Sequence, residues 1–206
     1  MLELSEILTL FFITLGPLKV IGPFVQQTVG ADRSFCRNVA LRATAIATII
    51  VVLVAFVGIS VLGKWGVTPS AVAIAGGIIL FNNALAAAMQ PDKPAPKNNH
   101  TPPAPSLAIA VFPLAIPTIV TAPGIAAIVA TVVITQQDEN ISMAAIIGLL
   151  LVIMLLNLIF MLLARPFFKI VPPPVLQIIG WVFAVLQSAL AVQILINSLR
   201  SIGALP

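Results

Sequence analysis

Two pairs of prolines carry the most chemistry in this sequence. Pro17 and Pro23 stand six residues apart, Pro117 and Pro123 also stand six apart, and the pairs are offset by 100 residues. A proline inside a helix lacks an amide donor and displaces the carbonyl four residues earlier. Pro17 and Pro23 thereby free the carbonyls of Ile13 and Lys19, while Pro113, Pro117 and Pro123 free those of Ile109, Pro113 and Ile119. Beyond each break a new half-helix is expected, with Gly22 before Pro23 and Thr121 and Ala122 before Pro123, so that proline falls in a first turn that tolerates it. The amides of Phe24 and Val25 in one half-helix, and of Gly124 and Ile125 in the other, would then present the positive end of a helix dipole. Such amides suit a carboxylate and the displaced carbonyls an ammonium, a pairing that matches an amino-acid zwitterion or a similarly small polar solute.

Lys19 lies between the prolines of the first pair with no Asp or Glu in any uncharged run to pair with it. A lysine at the centre of a bilayer costs about 2.5 to 3.5 kcal/mol, so it needs carbonyls, water or a ligand. Snorkelling to an interface is the structural alternative. Among the remaining polar residues in apolar runs, Asn82, Asn83, Asn157 and Gln187 are the ones able to face a cavity, although interhelical hydrogen bonding accounts for most such residues. Gly180, Ala184 and Ser188, four apart, form a small-residue stripe suited to close helix packing. No span holds the His, Cys, Asp or Glu that acid–base or metal chemistry requires, so an enzyme is not expected. Cys36 is alone and His100 has no ligand partners, so neither a disulfide nor a metal or other cofactor is expected.

The elements that hold these residues follow from composition. The chain has 206 residues, 60% hydrophobic and 8% charged, against about 25% charged in an ordinary soluble domain. Its mean hydropathy is +1.17. Lipid is its natural solvent. The net charge is +4, and the cations are spread at most three per connecting segment, with no stripe for nucleic-acid phosphates. A helix crossing the hydrocarbon core needs about 20 apolar residues. Uncharged runs at Ala43 to Gly63, Trp65 to Pro91, Asn140 to Ala164 and Ile170 to Leu199 qualify, and the apolar part of the stretch before Gln137 makes a fifth. The first crossing consists of two halves, Ile7 to Leu18 and Val20 to Ala31, flanking Lys19. The expected fold is all-α, a single polytopic membrane domain over 1–206 with six transmembrane helices. The first helix lacks the basic leader and cleavage pattern of a signal peptide and is expected to be retained.

Basic residues near span ends mark the cytoplasmic side. Arg33, Arg37, Arg42, Lys93, Lys97, Arg165 and Lys169 fall on one face and Lys64 and Arg200 on the other, which predicts both termini outside. The Pro-rich stretch 90–106 reads as a cytoplasmic linker between a first repeat of about 1–89 and a second of about 107–206. A three-helix repeat is odd, so its second copy enters the membrane from the opposite side. Inverted repeats with breaks at matching positions, here in the first and fourth helices, are the signature of secondary transporters, with substrate at the repeat interface.

With TLGPLKVIGPF (Thr14 to Phe24), AGGIILF (Ala75 to Phe81), FPLAIPTIVTAPGIA (Phe112 to Ala126) and the Gly180 to Gln193 segment, the sequence resembles the MarC family of six-helix bacterial inner-membrane proteins. That family includes SnatA-type small neutral amino-acid transporters and lies within the LysE-like group. The resemblance implies a 3+3 inverted repeat holding a small-molecule substrate between the interrupted first and fourth helices. By matching position it implies Gly16, Pro17 and Lys19 at the first break and Pro117, Thr118, Thr121, Pro123 and Gly124 at the second. Gly22, Pro23, Asn83 and Gln187 complete the candidate set. Many members read Asn-Pro-x-Gly at the first break, where this chain has Gly16-Pro17-Leu18-Lys19, and the family's Gly-Pro-Gly is here Ala122-Pro123-Gly124. The expected function is alternating-access transport or exchange of small neutral amino acids in the bacterial inner membrane; a scaffold or regulatory protein without transport is the rival. Oligomeric state is left open.

Overall fold

A computed structural model describes residues 4–89, 107–135, 141–171 and 173–205. The expected linker 90–106, with Lys93, Lys97 and His100, and the acidic pair Asp138 and Glu139 lie outside the described residues. The described chain is helical: α1 (Leu4–Leu15), α2 (Leu18–Gln27), α3 (Arg33–Lys64), α4 (Pro69–Met89), a distorted segment Leu107–Ile119, α5 (Ala122–Thr135), α6 (Met143–Leu162), α7 (Ala164–Ile170) and α8 (Pro173–Ser201). Five helical stretches are long and apolar enough to cross a membrane, one of them the broken Leu4–Gln27. The pair Leu107–Ile119 and Ala122–Thr135, bent by 58°, brings the number to six.

Several boundaries differ from those read off uncharged runs. α3 begins at Arg33, ten residues before the first expected apolar position, Ala43. The uncharged run measures the hydrocarbon crossing, whereas the helix starts where Asp32 caps it, accepting from the Phe35 amide at 3.3 Å. α6 stops at Leu162, and a separate short helix, α7, which the uncharged-run reading did not contain, turns away before α8 starts at Pro173. Ser142 caps α6 by accepting from the Ala145 amide, and Thr68 caps α4 through the Ala71 amide.

Among the described helices, α4 and α8 make the most extensive contact. Their antiparallel register is read from three contacts: the Ser70 and Ser201 hydroxyls lie 2.8 Å apart, Gly77 lies against Leu195 and Ala191, and Gln187 Nε2 donates to the Leu80 carbonyl at 3.0 Å. Consecutive glycines serve two interfaces. A Cβ on Gly76 would stand 2.9 Å from the Ala130 Cβ of α5, and one on Gly77 would stand 2.9 Å from Leu195 of α8. Of the expected stripe on α8, Ala184 is buried within the chain, but Gly180 does not take part in this packing. Gly180 is exposed, and a Cβ there would meet nothing within 4 Å. The glycine that admits close approach in this pair is Gly77 on α4. Phe12 of α1 meets Phe183 of α8 edge-on at 5.8 Å, which fastens the first broken span to the same pair.

Gly76→Val is expected to lower stability by about 1 to 3 kcal/mol, because the Cβ of Ala130 belongs to a packed helix and has no rotamer by which to move aside. Gly148→Val, at a site on α6 with nothing within 4 Å, is expected to be neutral. Thermal unfolding of the two variants in detergent compares them.

Candidate functional site

The first break lies at Gly16–Pro17. α1 ends at Leu15 and α2 restarts at Leu18, whose cap position is Pro17, with the amides of Val20 and Ile21 both turned onto the Pro17 carbonyl. Gly16 has no room for a side chain, since a Cβ there would run into the Phe12 carbonyl. Pro23 does not open a second half-helix as expected; it lies inside α2. Phe24 and Val25 are therefore interior helical residues, and the first-turn amides at this break belong to Leu18 and Lys19. Gly22 and Pro23, both half-buried, sit more than a turn past the break.

The second break is more extended. Phe112 (φ −131°, ψ 124°) and Ile116 (φ −129°, ψ 126°) leave helical geometry. Each immediately precedes a proline, whose ring disfavours the helical region for the residue before it. The Thr118 hydroxyl donates to the Pro113 carbonyl at 2.8 Å, the one that Pro117 cannot reach. Thr121 then caps α5: its Oγ1 accepts from the Gly124 amide at 3.1 Å and its carbonyl from the Ile125 amide at 2.9 Å. Pro123 occupies the first turn, as expected. The Gly124 and Ile125 amides, expected to be open to an anion, are thus already engaged by Thr121.

The two breaks meet. α1 packs on α5 and α2 packs on the distorted segment, the pairing that antiparallel broken helices make when they cross at their interruptions. Gly124 lies directly under the Leu15 side chain, so a Cβ there would collide with Leu15 Cδ2. Asn157 reaches in from α6 and donates through Nδ2 to the Leu15 carbonyl at 2.8 Å and to its own Ile153 carbonyl at 3.0 Å. Donation to two carbonyls fixes the amide's orientation. Its Oδ1 is buried and has no hydrogen-bond partner among the described residues. Lys19 is exposed on α2, and its Nζ turns back to the Thr14 carbonyl at 3.4 Å. That direction is towards the break and away from the Arg-rich end of α2, the opposite of snorkelling to that interface.

Gly16, Pro17, Lys19, Thr118, Thr121, Pro123 and Gly124 thus belong to two breaks in mutual contact, and Pro117 shapes the second of them. Gln187 is committed to the α4–α8 clip described above, and Asn83 is half-buried on α4. Asn157, read from sequence only as one of four amides able to face a cavity, is the residue that bridges α6 to the first break. Helical phase could not single it out, because the carbonyl it serves belongs to a residue 142 positions away.

A family model described as MarC family integral membrane protein matches residues 1–203 of the chain. No curated protein and no solved structure matches it.

Asn157→Leu is expected to cost about 0.6 to 2 kcal/mol by stripping the donor from the Leu15 carbonyl, read as a lower melting temperature in detergent. Gly124→Ala is expected to destabilise by a comparable amount and to be partly rescued by Leu15→Ala, which vacates the space the new methyl needs. Additive losses in that double variant would show that the two residues do not share a contact.

Proposed function

The chain belongs to the MarC family of integral membrane proteins, and from this premise we propose that it is a secondary transporter or exchanger of small polar solutes, small neutral amino acids foremost. The observation that carries this reading is the contact between the two breaks, Leu15 over Gly124, with Asn157 bonded to the Leu15 carbonyl beside it. Interrupted backbone at membrane depth is tolerated only inside protein or along a polar cavity, and two such interruptions on one spot gather main-chain dipoles outside regular helix, where a small solute binds. The acceptor oxygens here suit the ammonium end of such a solute. Carbonyls of Thr14 and Leu15 and the unpartnered Asn157 Oδ1 are acceptors, while Lys19 and the first-turn amides of Leu18 and Lys19 are left for a carboxylate.

Leu15 fills the space over Gly124 in this form, so transport requires the two halves of the molecule to rock apart at that contact. We place the protein in a bacterial inner membrane with both termini periplasmic, because seven basic residues against two favour that orientation. The two halves act as inverted repeats, 1–89 and 107–206, and no catalysis is involved. A scaffold role rests on the same packing, since Leu15 over Gly124 also suits a pair of permanently seated kinks.

Proteoliposomes separate the two readings. The purified chain is expected to take up or exchange a small neutral amino acid, and Lys19→Ala is expected to lower flux at least tenfold at unchanged expression and fold. A scaffold moves no solute under any proton or sodium gradient, and it keeps or gains stability when Lys19 becomes Ala.

A further inference from the structure

A second polar feature lies away from the breaks, at the end of the bundle richest in basic residues. There α3 begins and α6 passes into α7, enclosing a groove of about 630 Å³ that Arg33, Arg37 and Arg165 line. Arg33 and Arg37 are exposed and four apart, hence on one face of α3. Like charges at that spacing repel and weaken a helix. The α3 amides do not explain the arrangement, because Asp32 already caps them through Phe35. Asp32 is fully exposed, and the Ser34 hydroxyl holds its carboxyl below the ordinary carboxylate range, so one negative charge stands near three positive ones.

Arg165 is anchored from across the groove. Its Nη2 donates to the Thr28 carbonyl at 2.9 Å and the Ala31 carbonyl at 2.7 Å, and lies 3.2 Å from Cys36 Sγ. A guanidinium carries three further N–H donors on its other nitrogens, and the anchoring holds that fork in place beside Arg33 and Arg37. Preorganised arginines are the usual receivers of phosphate oxygens. Apart from Ser34 and Cys36 the rest of the groove is apolar: Phe24 and Met161 are buried in its floor, while Leu162 and Leu163 at its edge remain 46% and 55% exposed.

We propose that this groove binds the phosphate headgroup of an anionic phospholipid, with Arg33, Arg37 and Arg165 on the phosphate and an acyl chain running along Leu162 and Leu163. Free inorganic phosphate offers the same oxygens. It has nothing to lay against the exposed leucines, and the site lies where spanning helices emerge from the hydrocarbon core, so the lipid is the occupant favoured. Basic pockets between transmembrane helices take anionic headgroups on the same principle. Because Phe24 lies in the last turn of α2 and Arg165 holds the Thr28 and Ala31 carbonyls beyond its end, an occupied groove braces the far end of the first broken span.

The full chain in bilayer discs of phosphatidylcholine, with and without one-third phosphatidylglycerol, tests this by thermal unfolding. Phosphatidylglycerol is expected to raise the melting temperature of the wild type and of Arg42→Gln, which removes an exposed arginine outside the groove. The double variant Arg33→Gln, Arg37→Gln is expected to lose most of that rise, and millimolar inorganic phosphate in phosphatidylcholine discs is expected to produce none. A full rise in the double variant, or an equal loss in Arg42→Gln, overturns the site in favour of diffuse attraction. A rise with inorganic phosphate alone overturns the lipid as occupant. Native mass spectrometry of the wild type from the mixed bilayer gives a check that needs no variant: phosphatidylglycerol must be retained over phosphatidylcholine, and equal retention overturns the proposal.

Discussion

A backbone carbonyl in hydrocarbon must find a donor, and the centre of this molecule is arranged around that demand. In an unbroken helix the chain supplies its own donor four residues on. Where a proline or the end of a half-helix removes it, the donor has to come from a side chain or another helix. Three side chains answer here. Asn157 serves Leu15 from a different span, Thr118 serves Pro113 from within the distorted segment, and Lys19 turns to Thr14 from the next helix. Thr121 meets the converse need, an acceptor for the Gly124 amide at the start of α5. These pairings allow non-helical backbone to lie inside a membrane protein at little cost, and they also decide which main-chain groups remain for anything else.

Membrane class and the six crossings are legible in sequence because hydrocarbon tolerates so few charges that uncharged runs outline the spans. The second break is legible for a local reason: a residue before proline is pushed out of helical geometry, and Phe112 and Ile116 adopt the extended angles that follow. At the first break the same reading misplaces the opening, since either proline of the pair could end a helix. Gly16 decides it. Its contact with the Phe12 carbonyl leaves no room for a Cβ, whereas Pro23 is accommodated within a continuous α2. The open amides expected of Gly124 and Ile125 were obscured by Thr121, whose capping role depends on a backbone turn that residue types alone do not specify.

Long-range partners are the part that sequence could not supply. The Leu15 carbonyl and Asn157, Gln187 and Leu80, and Arg165 with Thr28 each join residues more than 100 positions apart. Every one of these is a side-chain donor on a main-chain oxygen, and a main-chain oxygen has no residue-type signature. Glycine carries part of this hidden information. Gly76 and Gly77 look equivalent in the run AGGIILF, yet one admits α5 and the other admits α8, a division set by adjacent residues pointing about 100° apart around a helix of 3.6 residues per turn.

Arg165 gives the short α7 a mechanical meaning. Its hold on Thr28 and Ala31 joins the elbow after α6 to the tail of α2, so tilting of the first span displaces that elbow with it. An elbow at the edge of the apolar core feels the thickness of the surrounding bilayer, and mismatch there costs fractions of a kcal/mol per Å. Through this strut, the bend between α6 and α7 is tied to the tail of the same broken span that Gly16 interrupts, so the two share one mechanical unit.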